Sequence, residues 1–149
     1  MFEKAVKGTI GAITGVFAYL VGCVSELVVA LVLLMLFDYI TGVMAAFVRK
    51  NLASWKGVVG ILKKVSFMLL VTLGFLLDFV ISYLMQEKAG TAFSTGGMFG
   101  IATTLWLIGT EGMSIIENLG VIGVPIPKFL KPAFSKLKNQ AEEVGGENG

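Results

Sequence analysis

Long stretches without charged side chains are the feature that most constrains the fold of this chain. Residues 8–25 carry no charge, and residues 26–48 and 65–86 each enclose a single internal acid. Residues 97–118 contain two acids near their end and are otherwise uncharged. A membrane-spanning helix needs about 20 mostly apolar residues. The sequence therefore predicts four membrane-spanning helices, at about 8–25, 26–48, 65–86 and 97–118.

The composition leads to the same fold class. The chain has 149 residues, of which 56% are hydrophobic and 15% charged, and its mean hydropathy is +0.86. Soluble domains are about 25% charged and about 45–50% apolar. A soluble domain of about 150 residues still exposes about 30% of the surface of its unfolded chain, so it cannot bury this excess of hydrophobic residues. We expect an all-α integral membrane protein.

The residue types that are missing exclude much of enzyme chemistry. The chain contains no His, which removes Ser-His-Asp and Cys-His nucleophile arrangements and most zinc sites. One Cys, Cys23, allows neither an intrachain disulfide nor a thiolate cluster. The Gly-rich phosphate loop G-x-x-x-x-G-K is absent. We therefore expect no enzyme, cofactor or metal, and the net charge of +2 is too small to indicate nucleic-acid binding.

The basic residues predict the topology. With four spans, one side of the membrane receives Lys4, Lys7, Arg49, Lys50, Lys56, Lys63, Lys64, Lys128, Lys131, Lys136 and Lys138. Lys88 is then the basic residue on the opposite side. In a three-span alternative, residues 8–25 do not cross, and Lys4 and Lys7 join Lys88. The positive-inside rule favours four spans with both termini in the cytoplasm.

The segments outside the spans divide the chain into two parts. Residues 1–127 are predicted to form the transmembrane domain, within which residues 49–64 are a cytoplasmic loop followed by an interfacial amphipathic stretch. Residues 87–97 are a short polar loop on the other face. Residues 128–149 are predicted to be a cytoplasmic tail, first basic and amphipathic, then acidic and flexible.

Four carboxylates lie at or near membrane depth: Asp38, Asp78, Glu111 and Glu117. A charged Asp at the bilayer centre costs about 2.5–3.5 kcal/mol even on insertion scales. One interpretation is an aqueous path or a polar interface between helices or subunits. The other is a structural tie, in which each acid is protonated or hydrogen-bonded to a neighbouring helix. The sequence leaves both open.

Two helices carry a marked face. In the last span, Thr104, Glu111, Ser114 and Asn118 recur at spacings of 7, 3 and 4, so they share one side of a helix. Such a stripe either lines water or meets another polar stripe. In the first span, small residues that favour close helix packing recur at similar spacings: Gly8, Gly11, Gly15, Ala18 and Gly22. Their partner is either the same chain or another subunit.

Several motifs together resemble the toxin-secretion/phage-lysis holin family. The first half of the resemblance consists of Asp38-Tyr39-Ile40-Thr41-Gly42, Ala45, Ala46, Ser54, Gly57 and Gly60-Ile61-Leu62-Lys63-Lys64. The second half consists of Asp78, the run Glu111-Gly112-Met113-Ser114-Ile115-Ile116-Glu117-Asn118, and Gly120 through Gly123-Val124-Pro125-Ile126-Pro127. The resemblance covers residues 26–138, and its most specific part is the run that starts at Glu111.

The resemblance implies a protein that accumulates in the bacterial cytoplasmic membrane and forms homo-oligomers. At a set time it would open lesions through which an endolysin reaches the cell wall or large toxins leave. Residues that match the family motif are candidates for a pore or an interface: Asp38, Thr41, Gly42, Asp78, Thr104, Glu111, Ser114, Glu117 and Asn118.

Two other functions fit the same spans. A small ion-coupled transporter also has four helices with membrane acids, although it usually adds an aromatic cage and a defined substrate cavity. A structural membrane subunit would use its acids for packing alone. All three hypotheses predict oligomers, so oligomerisation does not separate them.

Overall fold

The computed structural model describes residues 2–22, 25–90 and 94–146. All regular secondary structure in these ranges is helical: α1 (Phe2–Gly22), α2 (Glu26–Val48), α3 (Ser54–Ala89), α4 (Met98–Ile122) and α5 (Leu130–Gly146). Three of these helices are long and apolar enough to cross a membrane, namely α2, α3 and α4. The predicted all-helical membrane fold class is therefore confirmed within the described part of the chain.

Helix α4 is the centre of the bundle. It packs against α2, α3 and α5, whereas α2 and α3 make a smaller contact with each other. The buried core lies where α2 and α3 meet α4, and it consists of Val28, Leu31, Met35, Val71, Phe75, Leu107 and Ile108. Because α2 and α3 diverge from each other on α4, a groove remains between them.

Glycine in the left-handed conformation ends two of the helices. Gly90 (φ 63°) closes α3 and donates its N–H to Gln86 O. Gly123 (φ 91°) closes α4 and donates its N–H to Leu119 O. Such a terminal residue satisfies carbonyls that would otherwise lack a partner, and glycine adopts it without steric cost. Proline follows α4 at Pro125 and prevents the helix from continuing.

Glycines on α4 also set how closely the other helices approach. A Cβ at Gly100 would overlap the ring of Phe75 on α3, and a Cβ at Gly112 would overlap the ring of Phe134 on α5. A Cβ at Gly109 would lie 2.8 Å from Lys138 Cβ. Two neighbours of α4 therefore pack directly against its backbone.

The predicted spans match these helices unequally. The span predicted at 26–48 coincides with α2, and the span predicted at 97–118 lies almost entirely within α4. Residues 54–64, predicted as a stretch separate from the span at 65–86, instead form the first three turns of α3. Apolar side chains continue upstream of Lys63 without a proline, so one helix of 36 residues forms. At 1.5 Å per residue it is about 54 Å long. Because the hydrocarbon core is about 30 Å thick, an interfacial position for the first turns stays a prediction.

The first predicted span lies partly outside the described residues. Residues 8–22 belong to α1, while residues 23 and 24 are not described. The predicted stripe of α1, Gly8, Gly11, Gly15, Ala18 and Gly22, is exposed, and a Cβ at any of its four glycines would meet nothing within 4 Å. Whether α1 crosses the membrane, as the four-span topology requires, stays a prediction.

The predicted tail is more ordered than its composition indicates. Residues 130–146 form α5, which packs along α4. The helix includes Glu142 and Glu143, which the sequence placed in a flexible acidic end. Trp106 Nε1 of α4 donates a hydrogen bond to Glu142 Oε1 at 2.6 Å. Residues 147–149 lie outside the described residues.

Candidate functional site

One lysine and two carboxylates from three different helices meet inside the bundle. Lys64 Nζ on α3 lies 2.9 Å from Asp38 Oδ2 on α2 and also forms a hydrogen bond with Glu111 Oε2 on α4. The side chains of Lys64, Asp38 and Glu111 are 16%, 17% and 4% exposed. We call these three residues the charge cluster. It links each of the three apolar helices to the other two.

Two neutral residues complete the hydrogen bonding around Asp38. The side-chain amide of Asn118 donates to Asp38 Oδ1 at 3.1 Å and approaches Thr41 Oγ1 at 3.3 Å. Thr41 in turn donates to Phe37 O at 2.8 Å. A Cβ at Gly42 would touch Asn118 Nδ2 at an ordinary 3.6 Å, so Gly42 borders this network. The motif residues of α2 and α4 therefore meet in space.

Each charged group of the charge cluster has a hydrogen-bond partner, but the formal charges of the three residues do not sum to zero. It contains one cation and two anions, and all buried side-chain N and O atoms in the described part of the chain have a hydrogen-bond partner. Bringing one ion into the protein interior costs several kcal/mol, which the mutual attraction offsets only when the geometry is good. The two carboxylates share a single ammonium, so each depends on Lys64 remaining in place.

The apolar surface extends on both sides of the charge cluster. On α2 exposed apolar side chains run from Val29 to Val48, and on α3 they run from Trp55 to Met85. Asp38 and Lys64 lie inside these intervals. Exposed apolar side chains therefore continue along α2 and α3 in both directions from the level of the charge cluster.

A cavity of about 340 Å³ adjoins the charge cluster between α2 and α3. Its inner wall includes Lys64, Glu111 and Ser114. Its outer part is formed by Asn51 and Lys56, close to the connection between α2 and α3. The cavity thus leads from the end of the bundle to buried charges.

Asp78 has a different role from the other acids. It is 1% exposed, and its carboxylate accepts the N–H groups of Phe99 at 3.2 Å and of Gly100 at 2.8 Å. These N–H groups lie in the first turn of α4, where no partner exists within the helix. The carboxylate also interacts favourably with the positive end of the helix dipole. Asp78 therefore caps α4 from the neighbouring helix.

The remaining predicted site residues do not join the charge cluster. Thr104 is fully buried, and its hydroxyl donates to Gly100 O at 2.7 Å within α4. Ser114 lines the cavity, and Glu117 is exposed. The predicted polar face of α4 exists, but Glu111 and Asn118 are the two of its members that bond to another helix.

Lys64 is the residue that the sequence analysis did not identify as part of the site. In the predicted topology it is one of the basic residues on the cytoplasmic side. A signal was present, because Val58, Val59, Ile61 and Leu62 continue the apolar pattern upstream of it. A lysine inside such a pattern, with acids inside two other spans, indicates an intramembrane ion pair.

Helix α5 covers the opposite side of α4. The ring of Phe134 packs on Gly112, and Lys138 Nζ lies 4.8 Å from the ring centroid of Trp106. A helix turns by about 100° per residue, so Gly109 and Trp106 lie about 160° and about 140° around α4 from Glu111, and Gly112 about 100°. The charge cluster and α5 therefore lie on opposite sides of the central helix.

Comparison with known proteins gives a consistent result. The sequence model of the bacteriophage holin family matches residues 15–139. The chain is 37% identical to a probable holin of Bacillus phage phi105, over 85% of this chain and 84% of that protein. It is 32% identical to an uncharacterized protein of Halalkalibacterium halodurans, over 91% of this chain and 96% of that protein. It is also 32% identical to the uncharacterized YqxH of Bacillus subtilis, over 84% and 80%. No solved structure matches.

Proposed function

The chain belongs to the bacteriophage holin family, and on that premise we propose that it oligomerises in the bacterial cytoplasmic membrane and opens lesions there. The lesions let an endolysin reach the cell wall, or let large protein toxins leave the cell. The name of the phage phi105 relative and the three apolar helices support a holin role in a membrane. The observation that carries the lesion proposal is the sidedness of the helices around α4.

One side of the bundle suits lipid and the other does not. Exposed large apolar side chains cover α2 and α3. Helix α5 presents Lys131, Lys136 and Glu143 to the outside, on the opposite side of α4. Trp106 and Gly112 lie near the middle of α4, so α5 lies at the depth of the hydrocarbon core when α4 spans it. Charged groups at that depth require water or polar partners.

These two faces support an assembly with a defined orientation. Several copies would place α2 and α3 toward the lipid and α5 toward a shared interior. The shared interior would be lined by the polar side chains of α5. It fills with water once the copies move apart from one another around it. This arrangement would make the lesion wall from the tail helix rather than from the charge cluster.

The charge cluster supports a closed state of the protein, in which copies accumulate in the membrane without opening a lesion. Its polar groups bond to each other within one chain, so the charge cluster itself presents no unpaired charge to lipid. Opening requires a second arrangement of the bundle whose free energy differs from that of the closed one by only a few kcal/mol. A larger difference in free energy would leave the second arrangement unpopulated. A population of closed copies could then convert together once their number is sufficient.

The first helix supports contacts between copies. Its small residues Gly8, Gly11, Gly15, Ala18 and Gly22 are exposed within their own chain. Small residues let membrane helices approach closely and associate. We assign this stripe to a contact with another copy, with α1 as the fourth span and the N-terminus in the cytoplasm, as the basic residues predict.

Timed expression in a bacterium tests the proposal. The protein is induced alone or together with an endolysin that lacks a secretion signal. We expect abrupt growth arrest and membrane depolarisation in both cases, and lysis when the endolysin is present. Continued growth with an intact membrane potential at full accumulation of the protein would contradict the proposal. It would favour the alternative function, a structural membrane subunit.

A second candidate is a small ion-coupled transporter. The cavity that reaches Lys64 and Glu111 favours it, because a transporter needs a path from solvent to a membrane carboxylate. This candidate predicts gradual uptake or efflux of a particular solute with no loss of viability. The same cultures separate the two functions, since a lesion dissipates the membrane potential in one step.

A further inference from the structure

The cavity between α2 and α3 has the shape and charge of a lipid site. We propose that it binds one anionic phospholipid, with the phosphate beside Lys56 and Lys63 and an acyl chain in the adjoining apolar groove. The proposal concerns the closed bundle in a membrane and does not depend on lesion formation.

The charge of the cavity fits an anion. Its lining includes three lysines, Lys56, Lys63 and Lys64, and two carboxylates, Asp38 and Glu111. The formal balance is therefore one positive charge in excess. A phosphodiester with one negative charge would neutralise the cavity.

Two of these lysines are available to a ligand. Lys64 is engaged with both carboxylates, whereas Lys56 Nζ donates to the neutral Asn51 Oδ1 at 3.0 Å. Lys63 Nζ lies 5.6 Å from the centroid of the Phe67 ring. Among the described residues, neither Lys56 nor Lys63 forms an ion pair. They are seven positions apart on α3, so they lie on the same side of the helix.

An apolar groove continues from the cavity along the same two helices. The groove also has a volume of about 340 Å³, and it shares Tyr39 and Lys64 with the cavity. Its other walls are aliphatic or thioether side chains: Met35, Leu36, Ile61, Val65 and Met68. A site with a cationic end and an apolar end fits an amphiphile better than a free phosphate or a polar peptide.

The dimensions agree with one leaflet of a bilayer. Lys56 and Met68 are twelve positions apart on α3, which corresponds to about 18 Å along the helix axis. Half of the hydrocarbon core is about 15 Å thick. The cavity is also lined by Asn51, which directly follows Arg49 and Lys50 in the chain. Basic pockets between membrane helices are typical sites for anionic headgroups.

Native mass spectrometry of the full-length protein in detergent tests the proposal. Phosphatidylglycerol or phosphatidylcholine is added at equal concentration, and the fraction of protein that retains one lipid is measured. We expect at least tenfold tighter retention of phosphatidylglycerol. The double variant Lys56→Gln/Lys63→Gln should lose this preference, whereas the control Lys131→Gln/Lys136→Gln on α5 should keep it.

A second variant fills the cavity without removing charge. A Cβ at Gly60 would meet nothing within 4 Å, so Gly60→Leu can place its side chain in the cavity with the helix intact. Circular dichroism checks the fold, and Gly145→Leu is the control in open space. We expect Gly60→Leu to reduce phosphatidylglycerol retention at least tenfold.

Three outcomes would overturn the proposal. Equal retention of both lipids would show that the lysines do not recognise the headgroup. Full displacement of the lipid by inorganic phosphate at millimolar concentration would show that the groove contributes nothing and that the ligand is a free anion. Undiminished retention in a folded Gly60→Leu protein would place the lipid elsewhere on the surface.

Discussion

Replacing Lys64 by Met tests whether the charge cluster holds three helices together. Lys64 Nζ lies 2.9 Å from Asp38 Oδ2, and its side chain is 16% exposed. At an effective dielectric constant of about 20, two unit charges at this distance attract by about 6 kcal/mol before desolvation is subtracted. Removing one partner of a buried ion pair typically costs about 3–5 kcal/mol, because the other charge is left uncompensated. Here two carboxylates lose their partner, so we expect the free energy of unfolding to fall by about 3–5 kcal/mol.

The measurement is unfolding of the purified protein in mixed micelles with increasing denaturing detergent, followed by circular dichroism. The matched control is Lys63→Met, since Lys63 is the preceding residue on α3 and is exposed. We expect the control to change stability by about 0.5 kcal/mol or less, as for most surface substitutions. A Lys64→Met protein as stable as the control would refute the argument.

A triple variant separates loss of charge pairing from loss of packing. Lys64→Met combined with Asp38→Asn and Glu111→Gln removes all three charges while keeping the side-chain sizes similar. Replacing a whole buried ion cluster by neutral groups is often close to neutral in stability. We therefore expect the triple variant to recover most of the stability that Lys64→Met loses.

Three further predictions concern the surroundings of α4. Asp78→Ala removes the carboxylate that caps α4, so the free energy of unfolding should fall by about 0.5–2 kcal/mol in the same assay, as for other lost helix caps. Gly112→Leu should push Phe134 away from α4 and cost about 1–3 kcal/mol; limited proteolysis should then cut α5, but not in the control Gly120→Ala. Deleting residues 128–149 removes the helix proposed to line the lesion, so lysis should be lost in the timed-expression cultures; an unchanged onset of lysis would contradict this role of α5 and leave the tail as a positive-inside anchor.

The elements that the sequence predicted best are those bounded by local signals. Glu26 and Arg49 bracket an apolar run, and α2 has these limits. The spacing of Glu111 and Asn118 placed them on one side of a helix, and both bond to other helices from that side. Periodicity and charge are properties of a single segment, so they can be read without knowing what lies beside it.

The features that the sequence did not reveal depend on contacts between distant segments. A lysine next to an apolar run usually lies at a membrane boundary, and the positive-inside rule places Lys64 on the cytoplasmic side. Its partners are 26 and 47 positions away along the chain. Similarly, Gly109 and Gly112 indicate a close contact on α4, but not that α5 provides it. Composition alone made the last residues of α5 look flexible.

The stoichiometry of the charge cluster gives a reason for cooperative opening. One ammonium serves two carboxylates that come from α2 and α4, while the ammonium itself belongs to α3. If any one of these helices moves away, each of the other two loses a bond that it made to that helix. No partial separation therefore leaves every charge paired. A buried charge without a partner costs several kcal/mol, so intermediate arrangements are disfavoured relative to both the closed bundle and a hydrated open one. A bundle held in this way changes as a unit, which is the behaviour that the proposed lesion formation requires.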